Sequence, residues 1–146
     1  MANSLYAKGR NHFAFGDIVW KAAGGSTIRA FLIDNTAYTP DLVNDEFLSS
    51  VAAGARKGGT GTAYNQGVQL TLVDAAAGVC DAADVTFSAV VAGNPCQYIL
   101  LYKQGTGDAD SILIVLIDTA TGLPVTPNGG DVLAQWDNGS NKIFML

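Results

Sequence analysis

The chain has 146 residues and a formal net charge of −5, with hydrophobic residues at 49% and charged ones at only 14%. That length suits one domain, whose folding buries roughly 68–70% of the unfolded surface; the charged share is low against an ordinary value of about 25%, which leaves apolar groups on the surface and favours association. Eight scattered Lys and Arg facing thirteen Asp and Glu argue against a nucleic-acid partner, because backbone phosphate binding needs clustered cations.

The N-terminus, "MANSLYAKGRNHF", carries charge but no apolar stretch of a secretory signal, which predicts synthesis in the cytosol. Residues 1–16 predict a helical arm used in contacts, with Leu5, Tyr6, Phe13 and Phe15 as its apolar residues and Gly16 as its stop. Gly9 lies mid-helix and costs about 1 kcal/mol there relative to Ala. Short runs rich in β-branched and aromatic residues follow at 17–20, 27–34, 67–73, 84–90, 96–103, 111–118, 131–137 and 141–146, each bounded by Gly, Asp, Asn or Pro. Eight such strands with few helices between them predict an all-β chain, an antiparallel β-sandwich of jelly-roll-like type, formed as a single domain over 1–146.

One further helix is expected in "TPDLVNDEFLSSVAAG", with Thr39 as N-cap, Pro40 at the first position, acidic residues in the first turns and Gly54 as the stop. In "DVTFSAV", Val85, Phe87 and Ala89 fall on one face and Thr86 and Ser88 on the other, so that strand has a wet side. "YILLY" and "ILIVLI" are apolar on both faces; they are central strands of a sandwich, or strands whose second face another subunit covers. The longest apolar run, 112–117, is far short of the about 20 residues that span a bilayer, so no membrane association is expected.

"TIRAFLIDNTAYTP" and "SILIVLIDTATGLPVTP" share a strand, Leu-Ile-Asp, Thr-rich turn and proline. Strand exits that use Asp and Thr to satisfy turn backbone explain this without an internal duplication. In "TGLPVTPNGGD", Pro124 and Pro127 fix φ and remove two ladder donors, while Gly129 and Gly130 permit positive φ, so the segment turns. Residues 131–137 and 141–146 are then expected to pair as a hairpin across Asn138-Gly139, a dipeptide suited to a type I′ turn.

Candidate chemistry is sparse. His12 is the one histidine, so no two-histidine metal site can form, and a solvent-facing or interface role is expected. "GGTGTAYNQG" lacks the Lys-Ser/Thr of a phosphate loop and reads as a flexible connection or a loop ordered by a neighbour. "GDAD" and "DAADV" lack the alternating ligands and closing glutamate of a calcium loop and read as hairpin ends. Cys80 and Cys96 are expected to be buried free thiols rather than a disulfide or metal pair. Trp20 and Trp136 could form a sugar-stacking platform, but Trp136 falls in register with Val132 and Ala134, which favours a core position. No catalytic residue, metal site or cofactor is expected.

"LYAKGRNHFAFGDIVW" near the start and "IDTATGLPVTPNGGDVLAQWDNGSNKIF" at the end resemble a family of small structural proteins of tailed-bacteriophage virions, whose closest functional description is a capsid decoration, or cement, protein. The resemblance runs over nearly the whole length and is least characteristic over residues 57–67. It implies a non-enzymatic protein on the outer surface of the expanded head, a homodimer or homotrimer that clamps neighbouring major capsid proteins. Contacts are then expected at Leu5, Tyr6, Phe13, Phe15 and Trp20, where surplus apolar surface would be covered. The alternative is a tail-associated or fibre-like protein binding a glycan receptor through Trp and Asp side chains. A hydrolase built on clustered aspartates needs two carboxylates of separated pKa in one cleft, and nothing in the sequence brings such a pair together.

Overall fold

The two runs that are apolar on both faces become the centre of the largest sheet. In the computed structural model, which describes residues 3–146, the elements are β1 (Ser4–Leu5), α1 (Ala7–Phe15), β2 (Ile28–Asp34), β3 (Arg56–Lys57), β4 (Val68–Gln69), β5 (Asp74–Ala76), β6 (Val79–Asp81), β7 (Val85–Phe87), β8 (Cys96–Lys103), β9 (Ile112–Ile117), β10 (Val132–Ala134) and β11 (Phe144–Met145). The main sheet runs β1-β9-β8-β2-β3, with β4 also paired to β2; β7 and β10 form a two-stranded sheet, and β5, β6 and β11 a three-stranded one. All these pairings are antiparallel, so the fold is all-β, with one α-helix among the described residues.

Alternation along β2 and β8 sends side chains to two separate cores. Ile28, Ala30, Leu32, Ile99 and Leu101 meet Cys80, Phe87, Trp136 and Phe144 from the small sheets. On the opposite face Phe31, Ile33, Leu100 and Tyr102 meet Tyr6, Tyr38, Leu48, Val51 and Ala55. Both faces are therefore covered by the chain itself, which answers the alternative left open for "YILLY" and "ILIVLI". The rings of Phe31 and Tyr102 stack at 5.5 Å and 8°, worth about 0.5–1.5 kcal/mol beyond the area they bury. A bulge shifts the β8–β9 register between Leu101 and Tyr102, so that Ile114 and Val115, neighbours in sequence, both face the first core.

The N-terminal segment is an integral part of this architecture. β1 pairs with the outer edge of β9, the amide of Tyr6 donates to the Ile114 carbonyl, and α1 then lies along the rest of that edge. Gly9 is buried, and a Cβ there would collide with the Leu113 carbonyl oxygen. The glycine that argues against a helix by propensity is what lets this helix approach backbone so closely. α1 ends at Gly16 with φ 84°, its amide donating to Phe13 O. Met1 and Ala2 of the expected arm lie outside the described residues.

Three sequence expectations are corrected. Residues 39–54 form no α-helix: Asp41 accepts from the amides of Val43 and Asn44 and from the Asn44 side chain, a local turn that competes with helical bonding. Phe47 then bridges to Ile112, and only single 3-10 turns follow at Leu48–Ser50 and Ala53–Ala55. The C-terminal hairpin does not form either, because β10 pairs with β7 and β11 with β6. Asp137 accepts from the amide of Gly139, and the positive φ that a type I′ turn would need at Asn138 and Gly139 occurs instead at Lys142. Lastly, β7 stops at Phe87 and Ala89 is exposed with φ 48°, so it leaves the apolar face on which Val85 and Phe87 remain.

Candidate functional site

The N-terminal segment and the segment after β9 meet in space. Asn3 accepts through its side-chain oxygen from the amides of Asp118 and Thr119, both at 2.9 Å, and its amide group donates to Thr119 O. Trp20 packs edge-on against Phe144 at 5.0 Å, and Phe13 touches the same ring at 6.1 Å. The indoles of Trp20 and Trp136 donate to Asp81 O and Ala83 O, each at 2.9 Å, so the two tryptophans pin the end of β6 and the residues just after it.

Beside this junction lies an open groove of about 630 Å³. Leu32, Ile99 and Ile117 of the main sheet reach its base, residues 119–123 form one side, and Leu133, Gln135 and Trp136 line the other. Asn3, Asp137 and Lys142 add polar groups. In the turn region the Leu123–Pro124 peptide is cis, Val125 exchanges backbone hydrogen bonds with Cys96, and Pro127 is buried. Gly129 takes positive φ, at 93°, whereas Gly130 does not.

The predicted contact residues divide unevenly. Leu5, Tyr6 and Trp20 are buried in the chain's own core, and Phe13 is partly buried against it. Pairing with β9 needs residues 4–5 inside the sheet, so Leu5, Tyr6 and Trp20 are corrected from contact residues to core residues. Phe15 alone of the five is exposed, at 74%. Leu72, Val91 and Leu133 are also largely exposed, at 77%, 78% and 56%, and sequence reasoning passed them over. For Leu133 a signal existed: it occupies the outward phase of the alternation that buries Ala134 and Trp136.

The side chains considered for chemistry are occupied by structural partners. His12 is held between Asp17 Oδ2 at 2.7 Å (Nδ1) and Glu46 Oε1 at 3.0 Å (Nε2), tying the end of α1 to the 46–47 segment; its side chain is mostly enclosed, which removes the solvent-facing one of the two roles expected for it. Asp110 accepts from the amides of Thr106 and Gly107 and from the Thr106 hydroxyl, and these bonds, led by the Thr106 amide, hold its carboxyl below the usual range. Asp108 pairs with Arg56 at 2.8 Å, Asp81 with Lys142 at 3.3 Å, and Asp84 accepts the amide of Trp136. Cys80 and Cys96 are buried free thiols whose pKa burial pushes up to about 11. Among the described residues no cluster of three His, Cys, Asp or Glu could hold a metal ion, and no helix is long and apolar enough to cross a membrane.

The loop at 58–67 is ordered by its own chain. Arg56 donates to Thr62 O and Tyr102 to Tyr64 O, while Gly58, with φ 80°, leaves room for the ring of Phe87. No protein-family profile, curated protein or solved structure matches the chain.

Proposed function

We propose that this chain is a capsid decoration, or cement, protein of a tailed bacteriophage, which binds the outer surface of the expanded head and stabilises contacts between major capsid proteins. The observation that carries this reading is the convergence of residues 5–20 and 117–144, the segments that resemble the family, on the ring of Phe144 beside an open groove. A chain whose two cores are complete still leaves Phe15, Leu72, Val91 and Leu133 in water, a supply of apolar contact for the shell and for further copies in a dimer or trimer. The groove is framed by paired strands and proline-fixed turns, so little ordering cost accompanies docking.

The mechanism is linkage. A subunit that binds the expanded lattice and not its precursor stabilises the former by about 2.7 kcal/mol per site at a hundredfold excess over Kd, and many sites joined through oligomers multiply the effect. The virion surface is the proposed location.

Co-sedimentation of the purified chain with expanded and unexpanded heads tests the proposal. Saturable binding to expanded heads is expected, and Leu133→Glu or Phe15→Ser should weaken it roughly tenfold, the effect of losing one apolar anchor of about 1.4 kcal/mol. Absence of binding at any ratio, or labelling confined to tails, overturns it.

A further inference from the structure

The sequence contains two Asn-Gly dipeptides, Asn128-Gly129 and Asn138-Gly139, and the fold treats them differently. All four residues are exposed, so accessibility does not distinguish them; hydrogen bonding does. At the first, the Gly129 amide donates to Val90 O at 2.8 Å, the Val90 amide donates to Gly130 O at 2.9 Å, and Asn128 Oδ1 accepts from the Gly130 amide at 3.0 Å. The side chain and the following amide are both fixed in other bonds. At the second, the Asn138 side chain makes no hydrogen bond among the described residues. The Gly139 amide points instead at Asp137 Oδ1, 2.9 Å away.

We propose that Asn138 is a site of spontaneous deamidation and isoaspartate formation, and that the fold protects Asn128 from the same reaction. The nitrogen of Gly139 attacks Cγ of Asn138, forming an N–Cγ bond. The Cγ–Nδ2 bond breaks and ammonia leaves, closing a succinimide. The attacking amide must shed its proton, and the Asp137 carboxylate that already accepts from it is the group placed to take it; Nδ2 gains one proton, from that carboxyl or from water, and so leaves as ammonia. Water then opens the ring at either carbonyl, giving an aspartyl or an isoaspartyl link; no oxidant or reductant takes part. Glycine at position 139 leaves the approach to Cγ free of a side chain. At Asn128 the same attack first requires the Val90–Gly129–Gly130 bonds to open. The product places a new negative charge next to Asp137, at the edge of the groove.

Timed incubation of the folded chain in mildly alkaline buffer, followed by peptide mapping and enzymatic isoaspartate methylation, reads the outcome. Asn138 should convert at least roughly tenfold faster than Asn128, since three hydrogen bonds must open locally at the latter. In denaturant the two rates should converge, because the dipeptides are identical. Asp137→Ala should slow conversion at Asn138 in the folded chain. Equal rates at the two sites in the native state, or a difference that persists in denaturant, overturns the proposal; an unchanged rate in Asp137→Ala overturns the part given to that carboxylate.

Discussion

Arg56 and Asp108 meet at 2.8 Å, with the guanidinium side chain 2% exposed and the carboxylate 39%. The same guanidinium donates to the carbonyls of Leu48, Val51 and Thr62, so one side chain joins the 3-10 turn, the 58–67 loop and the turn before β9. Arg56→Leu removes every one of these donors and should cost about 3–5 kcal/mol. Arg56→Lys should rescue little, because an ammonium cannot reproduce the planar fork. Asp108→Asn should cost only about 1 kcal/mol, since water reaches the carboxylate. Urea midpoints at constant slope measure all three.

Gly9 offers a prediction of reversed sign. Replacing an exposed mid-helix glycine by alanine ordinarily stabilises by about 1 kcal/mol. Here the added methyl would meet the Leu113 carbonyl, forcing α1 off the β9 edge. Gly9→Ala should lower the melting temperature, and an increase contradicts the packing described.

Much of this was legible in the sequence, and the exceptions have physical causes. Apolar runs on both faces located β8 and β9, because burial on two sides leaves no phase for polar residues. Residues 39–54 read as a helix from Thr39, Pro40, the acidic residues that follow and Gly54. The Asp41 side chain captured the amides a helix would need, and Phe47 was taken by a long-range bridge. The expected hairpin failed similarly, since strand pairing of β10 and β11 is with distant partners that no local turn signal reveals. Arg56 was invisible because nothing in a sequence distinguishes an arginine that gathers carbonyls from one that faces water.

Leu72 holds φ 51° while its side chain is 77% exposed, a left-handed conformation that costs a branched residue about 1–2 kcal/mol. Leu72→Gly should therefore stabilise the isolated chain by about 1 kcal/mol. If this leucine contacts the shell, the same variant should bind heads more weakly. Thermal melts and co-sedimentation separate the two effects.

Alkaline stability follows from the buried thiols. Burial raises Cys80 and Cys96 from 9.0 to about 11, so in the intervening range the unfolded chain gives up protons that the folded chain keeps. Their contribution is complete below about pH 9 and is lost as pH rises through about 11. Burial also raises Tyr6, Tyr38 and Tyr102, which adds to the loss at higher pH. Denaturation midpoints should fall across this window, and fall less for a chain carrying Cys80→Ala and Cys96→Ala.

A cryo-EM reconstruction of heads saturated with the purified chain tests the proposed function most directly. The account predicts density at fixed lattice positions on the outer shell, with the junction of residues 3–20 and 118–144 facing major capsid proteins. Density confined to the tail, or a lattice-bound chain with that junction and its groove turned to solvent, contradicts it.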